Sequence, residues 1–200
     1  MVSEARYPRR AFLGGATILL LLALLKLLLH LSTSGNYGYF RDELYYIAAS
    51  GRLDLGYVDF PPFAALVTAA ARQLFGDSLL ALHVFPALAG ALVILLVGLM
   101  ARELGGDRFA QGLAALATFI APNFLVFGTW ISMDAFDQRF WVLAAYVLLI
   151  LLKRDRPRLW LLFGLVVGLG LLTKVTILFF GFAIFVALLL TPSRKHLLTR

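Results

Sequence analysis

The chain contains no cysteine, which excludes a disulfide framework and any thiolate-held metal. Histidine is scarce. His30, His83 and His196 are the three, far apart along the sequence, so a His-rich zinc site is not expected. Charged residues make up only 14% of the chain, yet Lys and Arg outnumber Asp and Glu 18 to 11, for a formal net charge of +7. Such a charge suits a nucleic-acid binder when the basic residues share one face. Here they fall in short clusters between apolar runs, as the positive-inside rule produces, so nucleic acid is excluded as an expected partner. No low-complexity linker, domain boundary or convincing internal repeat is visible, and residues 1–200 read as one membrane domain.

What is present is apolar. Hydrophobic residues are 62% of the chain and the mean hydropathy is +0.90, against about 45–50% apolar in a soluble domain. This composition predicts an integral membrane protein whose first partner is the lipid bilayer. Residues 11–32 form an apolar run longer than the roughly 7–15 residues of a signal-peptide core, behind Arg6, Arg9 and Arg10. A signal anchor is expected. Further spans are expected at about 79–101, 109–128 and 140–152. Residues 159–190 are too long for one crossing of about 20 residues and short for two, which predicts a tight hairpin with Lys174 near its turn.

The expectation is therefore an all-α, polytopic bundle of about six spans with both termini on the cytoplasmic side. Twelve basic residues then fall in the inner segments and five (Arg41, Arg52, Arg72, Arg139 and Lys174) in the outer ones, in keeping with the positive-inside rule. A bacterial inner membrane with the functional face outside fits this layout.

The first outer loop, about 33–78, is acidic and aromatic. Asp42, Glu43, Asp54 and Asp59 cluster there, and carboxylates beside hydrocarbon are costly unless paired, solvated or used. Glu43 to Ser50 reads as a helix with Asp42 as N-cap and Gly51 as its stop. Pro61-Pro62 opens a second helix, in which Phe63, Leu66, Val67, Ala70 and Leu74 make one apolar stripe, ended by Gly76. Two interfacial helices fit this pattern.

Each candidate residue has a plain reading and a chemical one. Asp42 and Glu43 suit a helix start with its dipole, or a general base that takes a proton from an attacking hydroxyl, or a metal or acceptor ligand. Asp134 and Asp137 share a face if the fourth helix begins early; otherwise they are polar loop residues, and Arg139 can pair with either. Asp59 suits a turn ahead of the prolines. Lys174 either snorkels to the interface or meets a lipid phosphate. Lys26 and His30 read as snorkelling or interhelical groups rather than catalytic ones. Tyr37, Tyr39, Phe40, Tyr45, Tyr46 and Tyr57 suit an interfacial belt, or stacking on a sugar.

The segments FRDELYYIA, GYVDFPP, ARELGG, SMDAFDQ and GLGLLTK, in this order, resemble membrane glycosyltransferases of the GT-C class. They are most similar to bacterial members of glycosyltransferase family 39, related to protein O-mannosyltransferases and lipid A aminoarabinose transferases. The resemblance covers about residues 35–190 and corresponds to the N-terminal half of such enzymes. It implies transfer of a sugar from a polyprenyl-phosphate donor to a lipid, protein or glycan acceptor outside the membrane. It also implies a catalytic role for Asp42 with Glu43 as partner. Substrate contacts are implied for Asp59, Arg41, Arg52, Asp134, Asp137 and Lys174, and a divalent metal between Asp42 and Asp134 is an option. The chain departs from the aminoarabinose transferases at Phe60, where they carry Lys, and Arg139 stands where an apolar residue is expected. A non-catalytic membrane scaffold or lipid-binding subunit is the alternative; a transporter is disfavoured by the lack of repeated halves.

Overall fold

The computed structural model describes residues 9–154, 156 and 158–194. Arg6, Lys195 and Arg200, three of the twelve basic residues counted in the inner segments, and His196 lie outside them. Secondary structure among the described residues is helical: α1 (Arg9–Thr33), α2 (Arg41–Ser50), α3 (Phe63–Phe75), α4 (Leu79–Glu103), α5 (Arg108–Ile120), α6 (Pro122–Val126), α7 (Met133–Arg154), α8 (Arg158–Leu171) and α9 (Ile177–Leu190), with a closing 3-10 turn at Pro192–Arg194.

Among the described residues, three helices are long and apolar enough to cross a membrane: α1 over Gly15–Thr33, α4 and α7. The third, fifth and sixth expected spans appear as the apolar helices α5, α8 and α9, of 13, 14 and 14 residues. Each rises about 20 Å at 1.5 Å per residue, less than the roughly 30 Å of a hydrocarbon core. The expected single span at 109–128 is broken at Ala121-Pro122, because proline has no N–H for the helix ladder and clashes with the preceding turn. The fourth span begins at Met133 rather than Phe140. Asp134, Asp137 and Arg139 are thus helical, and Arg139 is buried in the bundle instead of lying in an outer loop.

Packing follows membrane logic. Leu20, Leu21, Leu24, Leu25 and Leu28 of α1 are exposed, whereas Leu19, Ala23, Ala91, Ile94 and Ala115 form a core between α1, α4 and α5. Small residues let helices approach closely where hydrocarbon supplies no hydrophobic drive between them. The same rule orders α3. Its buried face is Ala64, Ala65, Thr68 and Ala71, and the Leu66 and Leu74 side of the expected stripe faces outward, as an interfacial helix requires.

The two outer helices form a hairpin fixed at both ends. Arg72 of α3 donates to the Ile47 carbonyl and the Ser50 hydroxyl at the end of α2 and pairs with Asp77. The Tyr57 hydroxyl meets the Ala49 and Arg52 carbonyls, satisfying the end of α2. Gly76 ends α3 at φ 86°, which only glycine adopts freely. The Phe63 N–H donates to the Leu172 carbonyl at 3.0 Å, joining the start of α3 to the end of α8. At the opposite end of the bundle, Glu103 of α4 pairs with Lys153 and Arg154 of α7.

The start of α2 corrects the expected cap. Phe40, not Asp42, is the N-cap residue, and Asp42 lies in the first turn. Glu43, 1% exposed, reaches back so that Oε2 accepts from the Phe40 N–H at 2.8 Å. Its Oε1 lies 2.8 Å from His83 Nε2 on α4 and accepts from the Ile131 N–H at 2.9 Å. One buried carboxylate therefore fastens α2 to α4 and to the segment before α7.

Two predictions follow from this packing. A Cβ at Gly98 would overlap the Leu19 side chain, so Gly98→Ala should destabilise the protein by about 1–3 kcal/mol in detergent unfolding. That penalty should vanish in a Leu19→Ala background; equal penalties in both backgrounds would refute the close approach. Glu43→Ala leaves His83 and two amides unpaired and should cost about 3–5 kcal/mol, while the exposed Asp54→Ala should leave the midpoint unchanged.

Candidate active site

The starts of α2 and α7 and the turn between α8 and α9 meet at one end of the bundle. Asp134 and Asp137, one helical turn apart on α7, both engage the α8–α9 turn. Asp134 Oδ1 pairs with Lys174 Nζ at 2.6 Å. Asp137 Oδ2 accepts from the Thr176 hydroxyl at 2.8 Å, and its Oδ1 accepts from Trp141 Nε1 at 3.2 Å. Asp137 is thereby saturated and 8% exposed. The Asp134 and Lys174 side chains keep 40% and 31% exposure, so this pair remains open to a ligand. Lys174 has three N–H donors and spends one on Asp134.

Asp42 projects from the first turn of α2 with 41% of its side chain exposed, paired to the still more exposed Arg41 at 3.0 Å. Tyr46, one turn on, is 4% exposed and packs against the Phe60 ring. Burial first, and then the negative charges of Asp42 and Asp134, raise the Tyr46 hydroxyl above its ordinary pKa, while the Met133 backbone acts the other way. The Tyr46 hydroxyl thus keeps its proton at physiological pH. Sequence reasoning placed it in an aromatic belt or in stacking on a sugar.

The remaining site residues are distributed around this centre. Asp59 accepts from the Tyr45 hydroxyl at 3.3 Å near the surface. Phe60 is 4% exposed and packs on Tyr45, Tyr46 and Tyr57, so the position where the aminoarabinose transferases carry Lys is here part of the core beneath α2. Arg52 lies exposed in the turn after α2. Glu43 is turned away from solvent into its three partners. Arg139 pairs with neither acidic residue on its helix. It donates to the Phe127 carbonyl at 3.1 Å instead.

A divalent metal between Asp42 and Asp134 finds little support in the donor set. Among the described residues no three His, Asp or Glu side chains are gathered around a common point, and the Lys174 ammonium already lies on Asp134. What the arrangement can do is hold one open carboxylate beside a carboxylate–ammonium pair. That combination suits removing a proton on one side and stabilising an anion on the other.

A pocket of about 460 Å³ lies beside this centre, and neither Asp42, Asp134 nor Lys174 lines it. Its walls come from the end of α1, the 37–40 segment, α6 and Trp130, and its polar surface includes Glu43, His30 and His83. The two histidines are 53 positions apart in sequence yet share one cavity, which sequence separation concealed.

Comparison with known proteins gives the family. Residues 59–200 match the family described as dolichyl-phosphate-mannose-protein mannosyltransferase. Lipid A galacturonosyltransferase RgtD of Rhizobium johnstonii is 30% identical over 161 residues, covering 78% of this chain and 33% of that protein. The chain thus spans about a third of the length of this relative. No solved structure matches. The family match covers the Asp59, Asp134, Asp137 and Lys174 segments, and the resemblance read from the ordered motifs is borne out. This integral membrane chain belongs to the dolichyl-phosphate-mannose-protein mannosyltransferase family of GT-C glycosyltransferases.

Proposed function

We propose that this chain supplies the acceptor-activating face of a transferase that moves a sugar from a polyprenyl-phosphate donor to a lipid acceptor on the outer side of the membrane. The observation that carries this reading is the half-exposed Asp134–Lys174 pair joining α7 to the α8–α9 turn, with an exposed carboxylate, Asp42, in the first turn of α2, whose Glu43 bonds the segment just before α7. The lipid acceptor is suggested by the relative, whose name assigns it lipid A as substrate.

In this mechanism the Asp42 carboxylate takes the proton of an acceptor hydroxyl while that oxygen attacks the anomeric carbon. The new carbon–oxygen bond forms as the bond to the donor phosphate breaks, and the electron pair leaves with the polyprenyl phosphate. Attack opposite the leaving group inverts the anomeric centre. Lys174 offers its remaining N–H donors to the departing phosphate, with Arg41 and Arg52 as exposed surface cations. Asp134 orients Lys174, Asp137 fixes the turn that carries it, and Asp59 with Tyr45 borders the acceptor side. Glu43 acts as a positioning residue, holding the first turn of α2 so that Asp42 faces this centre. The outer location rests on the excess of basic residues at the other helix ends.

The test uses membranes containing the protein that carries this sequence, incubated with a labelled polyprenyl-phosphate sugar. Asp42→Asn should lower turnover by about 10²–10⁴-fold, the scale of lost general-base catalysis, with membrane insertion unchanged. Wild-type rates in that variant would overturn the assignment. Lys174→Ala should reduce turnover and Lys174→Arg should restore part of it; indifference to both changes would remove Lys174 from the mechanism.

A further inference from the structure

Asp134 and Asp137 stand one turn apart on α7, and a single ammonium, that of Lys174, serves them both. Lys174 Nζ sits on Asp134 Oδ1 at 2.6 Å. Thr176, two residues on, gives its hydroxyl to Asp137 Oδ2 at 2.8 Å. The charges of Lys174 and Asp134 both act on Asp137, so the two acids compete for one cation. Attraction is stronger where water is excluded, and Asp137 is the more buried of the two. Desolvation of the ammonium opposes that move. The balance therefore turns on whether Asp137 already has other partners.

It has two, and both are neutral. Trp141 Nε1 donates to Asp137 Oδ1 and the Thr176 hydroxyl to Oδ2, one donor for each oxygen. The Trp141 ring is itself placed by Phe180 of α9, with ring centres 5.4 Å apart. The backbone of the α8–α9 turn is held without the Thr176 hydroxyl. The Phe63 N–H donates to the Leu172 carbonyl at 3.0 Å, and the Thr173 and Lys174 N–H groups both reach the Gly170 carbonyl at 2.9 Å. The Thr173 hydroxyl is spent on the Leu169 carbonyl. The Thr176 bond thus serves Asp137 rather than the shape of the turn. Without it a buried carboxylate oxygen would lack a partner, which is costly. Lys174, with two N–H donors not spent on Asp134, is a group that can answer it.

We infer that Thr176 and Trp141 are positioning residues for Lys174: their neutral hydrogen bonds occupy Asp137 and so keep the ammonium on the half-exposed Asp134. Both act through Asp137, and neither touches a ligand. The consequence for turnover rests on the role proposed above for Lys174. The placement of the ammonium does not, and it is read without any reaction.

The chain has four lysines, Lys26, Lys153, Lys174 and Lys195. Acetylation of the purified protein in detergent by an N-hydroxysuccinimide ester, followed by peptide mass spectrometry, therefore reads Lys174 by itself. Lys153, at the opposite end of the bundle with 47% of its side chain exposed, is the internal reference. Relative to it, Lys174 in Thr176→Val should label about ten-fold more slowly than in the wild type, the scale of one hydrogen bond to a carboxylate, because the ammonium withdraws toward Asp137. Thr176→Ser should label as the wild type does. Trp141→Phe, which keeps an aromatic ring beside Phe180, should slow labelling in the same way and carries the test should the valine variant not fold. Adding Asp137→Asn to either variant removes the competing charge and should return Lys174 to the wild-type rate. A hydroxyl needed only for the shape of the turn would give no such recovery. Unchanged or faster labelling in the folded variant, or slowing that Asp137→Asn does not relieve, would overturn the inference. Turnover is measured on the same proteins. Slowed and relieved labelling with turnover unchanged throughout would leave the positioning of Lys174 standing and overturn its proposed part in transfer.

Discussion

The arrangement depends on one buried carboxylate. Glu43 gathers the Phe40 N–H, His83 and the Ile131 N–H into a single knot. An isolated carboxylate at this depth would be strongly destabilising; with three partners it becomes a fastener between segments distant in sequence. α2 is only 10 residues long and would be marginal alone. Docked through Glu43, it presents Asp42 on the side of Tyr46 and Asp134 and forms a wall of the His30 pocket with Phe40. Removing the knot would loosen both sites at once.

The remaining architecture solves the problem of spending polar groups in an apolar chain. Small residues are kept for helix contacts and large ones for the outside, as at Ala23 and Ala91 against Leu24 and Leu28. The break at Pro122 exposes the Phe119 carbonyl, which Lys26 answers, and Arg139 answers the Phe127 carbonyl at the end of α6. Asp137, Thr176 and Trp141 close a second small network beside the Asp134–Lys174 pair. Several buried polar groups thus tie a helix end to a neighbour, while His30 Nε2 and His83 Nδ1, both on pocket-lining residues, have no partner among the described residues.

The order and placement of the helices were legible because hydropathy reports burial in lipid directly. So were the stops at Gly51 and Gly76 and the start after Pro62. The pairing of Asp134 with Lys174 was not read from the sequence, which offered Arg139 as the partner of Asp134 or Asp137 and gave Lys174 to the interface or a lipid phosphate. The break at Pro122 was readable from the proline itself but was overridden by an unbroken apolar run. The cap of α2 was misplaced because Asp42 is the better cap type, whereas Glu43 has the longer reach and a partner 40 positions away in His83. Arg139 deceived for a similar reason. Its charge suggested an outer loop, yet the carbonyl of Phe127 and the depth of α7 hold it inside. Contacts of that separation leave no local pattern in a sequence.

The most direct test of the account is amide hydrogen exchange at Phe40 and Ile131 in the wild-type protein in detergent or nanodiscs. Both amides lie outside helices and bond to Glu43 alone among the described contacts. The account predicts that both are protected far beyond neighbouring loop amides such as Leu53, and that both lose protection together in Glu43→Gln. Exchange of either amide at open-loop rates in the wild type would contradict the knot, and with it the placement of Asp42.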